Sequence, residues 1–264
     1  METTELINVM TKYEKTSVLL SIAAISISIL VPLVQWLYRE KRKAILKYYP
    51  TGHALAYCNL SGSYIRIDGV FEALRRAVSL KKVSLNITRI KDEQKLNLEW
   101  CKLCSPASQS FMGLQASAEE LAHPFRIDAD HVACAFIQFN DPSDSAGKTI
   151  KSEYDKLIED CRLIRLAETD YNKAVLLLKS KDSYKKVKTV IEKELFWKIG
   201  EYRATVVVKY ADSEESFPIK ISVSETQYAE FLAGIEEVSI IQLKNIYGIQ
   251  GNYQPVLLDI KDGN

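Results

Sequence analysis

Between Lys15 and Arg39 the chain carries no charged side chain. The run from Thr16 to Tyr38 reads TSVLLSIAAISISILVPLVQWLY, 23 residues. As a helix it extends about 34 Å, against a hydrocarbon core of roughly 30 Å. Peptide groups in lipid find no water, so a spanning segment must satisfy them internally, which a helix does. Pro32 removes one donor near the end of the run, and Trp36 and Tyr38 suit the interfacial belt. A cleaved leader fits less well. Its apolar stretch is ordinarily 7–15 residues, no small-residue cleavage site follows here, and the preceding segment holds three Glu against two Lys. An uncleaved transmembrane helix over 16–38 is expected.

Charge on the two flanks orients it. Arg39, Lys41, Arg42, Lys43 and Lys47 follow the span with one Glu among them, while only Lys12 and Lys15 precede it. The positive-inside rule then leaves residues 1–15 as a short extracytoplasmic tail and the bulk of the chain in the cytoplasm, under the plasma (inner) membrane. The five basic residues, in a juxtamembrane linker over 39–50, are candidates for lipid-headgroup contact, at about 1 kcal/mol each near an anionic leaflet. The span also has a patterned face: Ser17, Ser21, Ala24, Ser28, Pro32 and Gln35 recur at helical spacing. Small residues let helices approach closely in lipid, so this stripe is expected to mediate self-association or packing on a partner helix.

Beyond Tyr48-Tyr49-Pro50-Thr51-Gly52, read as the end of the linker, the hydrophobic period changes from helical to two. His53–Asn59 and Ser63–Asp68 are strand candidates, and Lys82–Ile90 alternates Val83, Leu85 and Ile87 on one face. A polar turn at 91–94 returns it through Leu96, Leu98 and Trp100 as a hairpin. Phe125–Ile127 and Val132–Phe139 add two more strands. After the break at 140–147, Ile150, Tyr154, Leu157, Ile158, Cys161 and Ile164 recur as on a helix, and a second helix is expected over 183–196. Residues 174–178 read either way. Strands resume at Tyr202–Tyr210 and Phe217–Val223, a short helix follows from Ser224 or Glu225 to Leu232, and 238–249 and 256–260 read as closing strands. The expected fold is mainly β, an α+β chain with an antiparallel, immunoglobulin-like β-sandwich (51–142 and 199–264) interrupted by a helical insertion over 143–198.

Few residues carry recognisable chemistry. Cys101-Lys102-Leu103-Cys104 has the spacing of a half zinc site, but no second pair accompanies it, so no metal is expected. Five cysteines, an odd number, suit a reducing compartment better than a disulfide framework. Ser145-Ala146-Gly147-Lys148-Thr149 imitates the end of a phosphate loop, but the glycine the cradle needs is Pro142. With three histidines and no nucleophile–base pattern, neither an enzyme nor a cofactor is expected. Acidic pairs Glu119-Glu120, Glu214-Glu215 and Glu236-Glu237 read as solvated loops and turns. Lys181, Lys185, Lys186 and Lys188, within a basic stretch from Lys179 to Lys193, are candidates for contact with an anionic ligand. Formal net charge of +1 makes nucleic acid an unlikely partner. The pattern points to membrane-anchored recognition of a cytosolic protein or small ligand. One concrete form is an oligomerising sensor-effector of stress or phage defence that perturbs the bilayer. Alternatives are a tethered scaffold subunit and, third, an enzyme.

Overall fold

The computed structural model describes residues 2–41, 43–60, 62–104, 110–111, 114–115, 119–142, 145–211, 213–251 and 254–263. Its first element, α1 (Glu2–Lys41), contains the expected span and continues it N-terminally through the segment read as a tail. Among the described residues, Thr16–Tyr38 is the one helical stretch long and apolar enough to cross a membrane, and it buries nothing against the rest of the chain. The core helix of a water-soluble domain would be covered on its apolar face; this one is exposed all round.

The remaining strands are β1 (Ile45–Asn59), β2 (Gly62–Leu74), β3 (Val78–Arg89), β4 (Lys95–Cys104), the two-residue pair β5 (Ser110–Phe111) and β6 (Leu114–Gln115), β7 (Glu119–Leu121), β8 (Phe125–Ile127), β9 (His131–Asn140), β10 (Gly200–Tyr210), β11 (Ser213–Val223) and β12 (Val256–Asp262). Eight of them close on themselves in the order β1-β2-β9-β4-β3-β10-β11-β12, every pairing antiparallel. β12 bonds back to β1 with His53 opposite Asp259 and Ala56 opposite Val256, and β3 bonds to β4 with Leu85 opposite Leu98. The result is a closed barrel, which corrects the expected immunoglobulin-like sandwich. In a sandwich two sheets would face each other with free edges; here those edges are hydrogen-bonded. β7 and β8 extend β4 and β3 where those two strands diverge.

An eight-stranded barrel is just wide enough for its interior to be filled by side chains. Alternate residues supply the filling: Ile65, Ile67 and Phe71 from β2, Leu85 and Ile87 from β3, Phe139 from β9, Tyr202 and Val208 from β10, Leu258 from β12. Leu80 and Val83 are both buried despite their odd spacing, because the β3–β10 register shifts between them. Tyr48 lies across the interior over Gly69, where a Cβ would come within 2.3 Å of its ring, and meets Phe71 and Phe217 at ring-centroid distances of 4.8 and 5.8 Å. Residues 48–52, read as linker, thus belong to β1. Pro50 and Gly52 (φ 92°) sit at the irregularity where the β1–β2 register shifts between Pro50 and Ala54, a place where a strand accepts proline.

Four helices complete the fold: α2 (Ser145–Ala167), α3 (Tyr171–Ser180), α4 (Asp182–Glu194) and α5 (Glu225–Ile246). The first three form the expected insertion and resolve 174–178 as helix. α5 overturns the strand reading of 238–249. Ser224 and Gln227 form a reciprocal capping box that starts the helix, and Phe231, Ile235, Val238, Ser239 and Leu243 bury one stripe. The segment Val238-Ser239-Ile240-Ile241, three of its residues β-branched, follows without a break, because burial outweighs its local preference.

All four helices lie in connections at one end of the barrel. β9 ends and β10 begins there, as β11 ends and β12 begins. Tyr202 hydroxyl donates to the Lys198 carbonyl and accepts from the Lys198 N–H, both at 2.6 Å, while Trp197 stacks on Phe231. Arg89, buried at the end of β3, donates to Asp92 at 2.7 and 2.8 Å and to the Phe196 carbonyl at 2.8 Å. Aromatic and aliphatic side chains from the helical layer therefore cover the end far from α1.

Candidate membrane-facing site

α1 ends at Lys41 and β1 begins at Ile45. Four Cα steps join them, at most about 15 Å. The barrel end opposite the helical layer is thus tied directly to the apolar helix. Three tight connections meet at this near end: β2–β3 (75–77), β8–β9 (128–130) and β10–β11, which Ala211 opens. Arg75 and Asp130 both adopt left-handed backbone, φ 72° and 59°, and Ala211 does so at 47°. The strain is compensated by bonds between turns. The Arg75 N–H donates to the Asp130 carboxylate at 3.0 Å, the Asp130 N–H to the Ala73 carbonyl at 2.7 Å, and the Lys81 ammonium to the Ala211 carbonyl at 3.3 Å.

Between the turns opens a cleft of about 690 Å³, lined by Lys43, Arg76, Lys81, Tyr210, Glu214 and Glu215 among others. A second opening of about 560 Å³ shares Arg76 and Ser79 and adds Arg75, Arg126 and Asp128. The acids here are engaged by their neighbours. Glu215 accepts from the Tyr210 hydroxyl, Glu214 pairs with Lys209 at 3.1 Å, and Asp128 with Arg126 at 3.1 Å. Burial, and then the adjacent Glu215, drive the Tyr210 hydroxyl far above its ordinary titration range, so it remains a donor. Lys43, Lys47 and Arg75 have no carboxylate partner among the described residues.

The other expected sites are placed as follows. Ser17, Ser21, Ala24, Ser28, Pro32 and Gln35 are exposed on α1. Ser21 hydroxyl donates to the Ser17 carbonyl at 2.9 Å and Ser28 to the Ile25 carbonyl at 2.7 Å, so both donors are satisfied within the helix. Lys43 and Lys47 are exposed at the near end; the side chains of Arg39 and Lys41, and all of Arg42, lie outside the described residues.

The basic stretch is at the opposite end, and much of it is paired. Lys181 stands 3.9 Å from Asp160, Lys186 3.8 Å from Glu153, and Lys188 3.9 Å from both Glu192 and Glu236. Lys179 bonds Glu236 directly, and Lys185 is exposed. Glu236 and Glu237 are thus on α5 and in ion pairs, rather than in a solvated loop; Lys244 holds Glu237.

Cys101 donates to the Gln138 carbonyl at 3.4 Å, Cys104 is buried, and none of the five cysteines is in a disulfide. Among the described residues no His, Cys, Asp or Glu group is arranged to hold a metal. Ser145–Thr149 forms the first turn of α2.

No protein-family model, curated protein or solved structure matches this chain. The near-end residues Arg75, Arg76, Lys81 and Arg126 escaped sequence reasoning because they are dispersed over fifty positions; the adjacent Arg75-Arg76 pair before a strand was the one local signal.

Proposed function

We propose that the chain is a single-pass membrane-anchored recognition module, its barrel held in the cytosol directly beneath the leaflet. The observation that carries this reading is the four-step join between an exposed apolar helix and the first barrel strand. The filled barrel interior supports recognition at the surface rather than in a lumen. In this reading the collar from Arg39 to Lys47 lies among headgroups, and the stripe from Ser17 to Gln35 brings spans together. Lys181, Lys185, Lys186 and Lys188 offer a surface to an anionic partner wherever their acidic neighbours can be displaced. An effector that gathers anchors and perturbs the bilayer is its most specific form.

The test is the full chain expressed with a C-terminal tag. Resistance to carbonate extraction, together with a tag protected from protease outside intact cells, is the expected result; release without detergent, or digestion of the tag from outside, overturns it. A scaffold subunit is the second reading, favoured by Leu163 and Leu166 of α2 and Leu176 of α3, which stand exposed on the helical layer. Cell depolarisation on induction, lost in Ser28→Leu with Gln35→Leu while the protein stays in the membrane, selects the effector. An unchanged potential with a stoichiometric partner in a detergent pull-down selects the scaffold.

A further inference from the structure

We infer that the near end of the barrel is itself a docking surface for an anionic leaflet, fixing the barrel upright on the membrane. This rests on the membrane-anchored reading and adds to the linear collar a set of residues that only the folded chain brings together.

Proximity comes first. With at most about 15 Å between the Cα atoms of Lys41 and Ile45, the near end cannot leave the headgroup region while α1 spans. Chemistry comes second. Lys43, Arg75, Arg76, Lys81 and Arg126 line the two openings, and Lys47 lies on β1 beside them, opposite Glu72. Of the carboxylates at this end, Asp128 is paired with Arg126 and Glu214 with Lys209, while Asp130, Glu215 and Glu72 are oriented by hydrogen bonds from the Arg75 N–H, the Tyr210 hydroxyl and the Tyr49 hydroxyl, the last at 2.9 Å. A phosphate entering from the leaflet therefore meets the ammonium groups of Lys43 and Lys47 and the guanidinium of Arg75, which have no carboxylate partner among the described residues.

Presentation comes third. Arg75 is held in a left-handed conformation that ordinarily favours glycine, by a bond from its own N–H to Asp130. Its side chain is exposed at the mouth of the second opening. Bidentate donation from Arg to phosphate is the favoured geometry for such groups. The far end differs, its arginine being buried and consumed: Arg89 bonds Asp92 and the Phe196 carbonyl. The two ends of one barrel thus spend the same side chain differently, inward to close the fold and outward toward lipid.

The experiment reconstitutes the full chain into nanodiscs of phosphatidylcholine alone or with a minor fraction of phosphatidylserine, and follows amide hydrogen exchange. Exchange in the β2–β3 and β8–β9 turns should slow with phosphatidylserine by about fivefold for each basic group that engages. High salt should reverse it, since surface charges are screened within about a Debye length. Arg75→Gly with Arg76→Gln should abolish the effect. Glycine accepts the backbone at 75, so this variant keeps the turn, and unchanged exchange in α4 checks the fold. Equal exchange in the two lipids, or slowing that reaches α4 equally, overturns the proposal. Carbonate extraction of the same variant separates the two questions: retention with lost protection removes lipid reading by the barrel, while extraction of the wild type removes the anchor itself.

Discussion

Thiol environment differs sharply among the five cysteines. Burial pushes the thiols of Cys58 and Cys161 up to about 11, the second assisted by the nearby Asp160 carboxylate. At neutral pH they are protonated and screened by packing, and Cys104 is buried as well. Cys101 is half-covered, its thiol also raised by burial. Cys134 alone is exposed, on the outer face of β9. Native protein in detergent should therefore incorporate one equivalent of maleimide rapidly at pH 7, at Cys134, and four more only after denaturation. Peptide mapping checks this; fast modification of Cys58 or Cys161 would contradict the packing of the barrel's far end and of α2. The CxxC spacing was legible from the sequence, but its side chains fall on a strand with a register irregularity between Trp100 and Lys102, so linear spacing did not reveal their surroundings.

At the scale of elements, the helices of the far end are joined by charge across their outer surfaces. Glu236 of α5 accepts from Lys179 of α3 and stands 3.9 Å from Lys188 of α4. The hydrogen bond from Lys179 holds its carboxyl below the ordinary value, with the charges of Lys179 and Lys188 acting in the same direction. A carboxyl depressed in the folded state contributes stability above its unfolded pKa, and that contribution is lost as pH falls through the folded value. Glu236→Gln should thus lower stability at neutral pH by about 0.5–1 kcal/mol, the pair being partly exposed. The two proteins should converge as pH falls below the ordinary glutamate range, near 4. Thermal unfolding followed from acid to neutral pH measures it, and a constant difference at all pH values would exclude the pairing as the cause. Helical periodicity of Phe231 and Ile235 with Val238 and Ser239 was in the sequence, but the β-branched Val238, Ile240 and Ile241 obscured it. The capping box at Ser224 is the usable local signal for the start, and the expected end at Leu232 falls short of the observed end at Ile246.

For the molecule as a whole, Arg89 links barrel and helical layer. Its guanidinium is buried against the Phe196 carbonyl and paired with Asp92 and Gln94, and its central carbon lies over the Phe196 ring, 5.6 Å from the centroid. Arg89→Met keeps the stem and leaves the carbonyl without that donor, which should cost about 2–3 kcal/mol. Urea unfolding in detergent measures the loss; near-neutral behaviour would mean that packing alone holds the layer to the barrel. The span, its flanking charge, most strands and the first and third helices of the insertion could be read directly from the chain, because each depends on the spacing of neighbours: length against bilayer thickness, period two against a pleat, period 3.6 against a helix. Closure could not. Inward and outward residues alternate identically in a sandwich and in a barrel, and the choice is made by pairings between β12 and β1 and between β3 and β4 that complete a ring across the whole chain. The same closure gathers Lys43, Arg75, Lys81 and Arg126 at one rim. Local spacing determined what each segment could become; long-range hydrogen bonding, satisfied only when the last strand meets the first, decided which side chains gather at one rim.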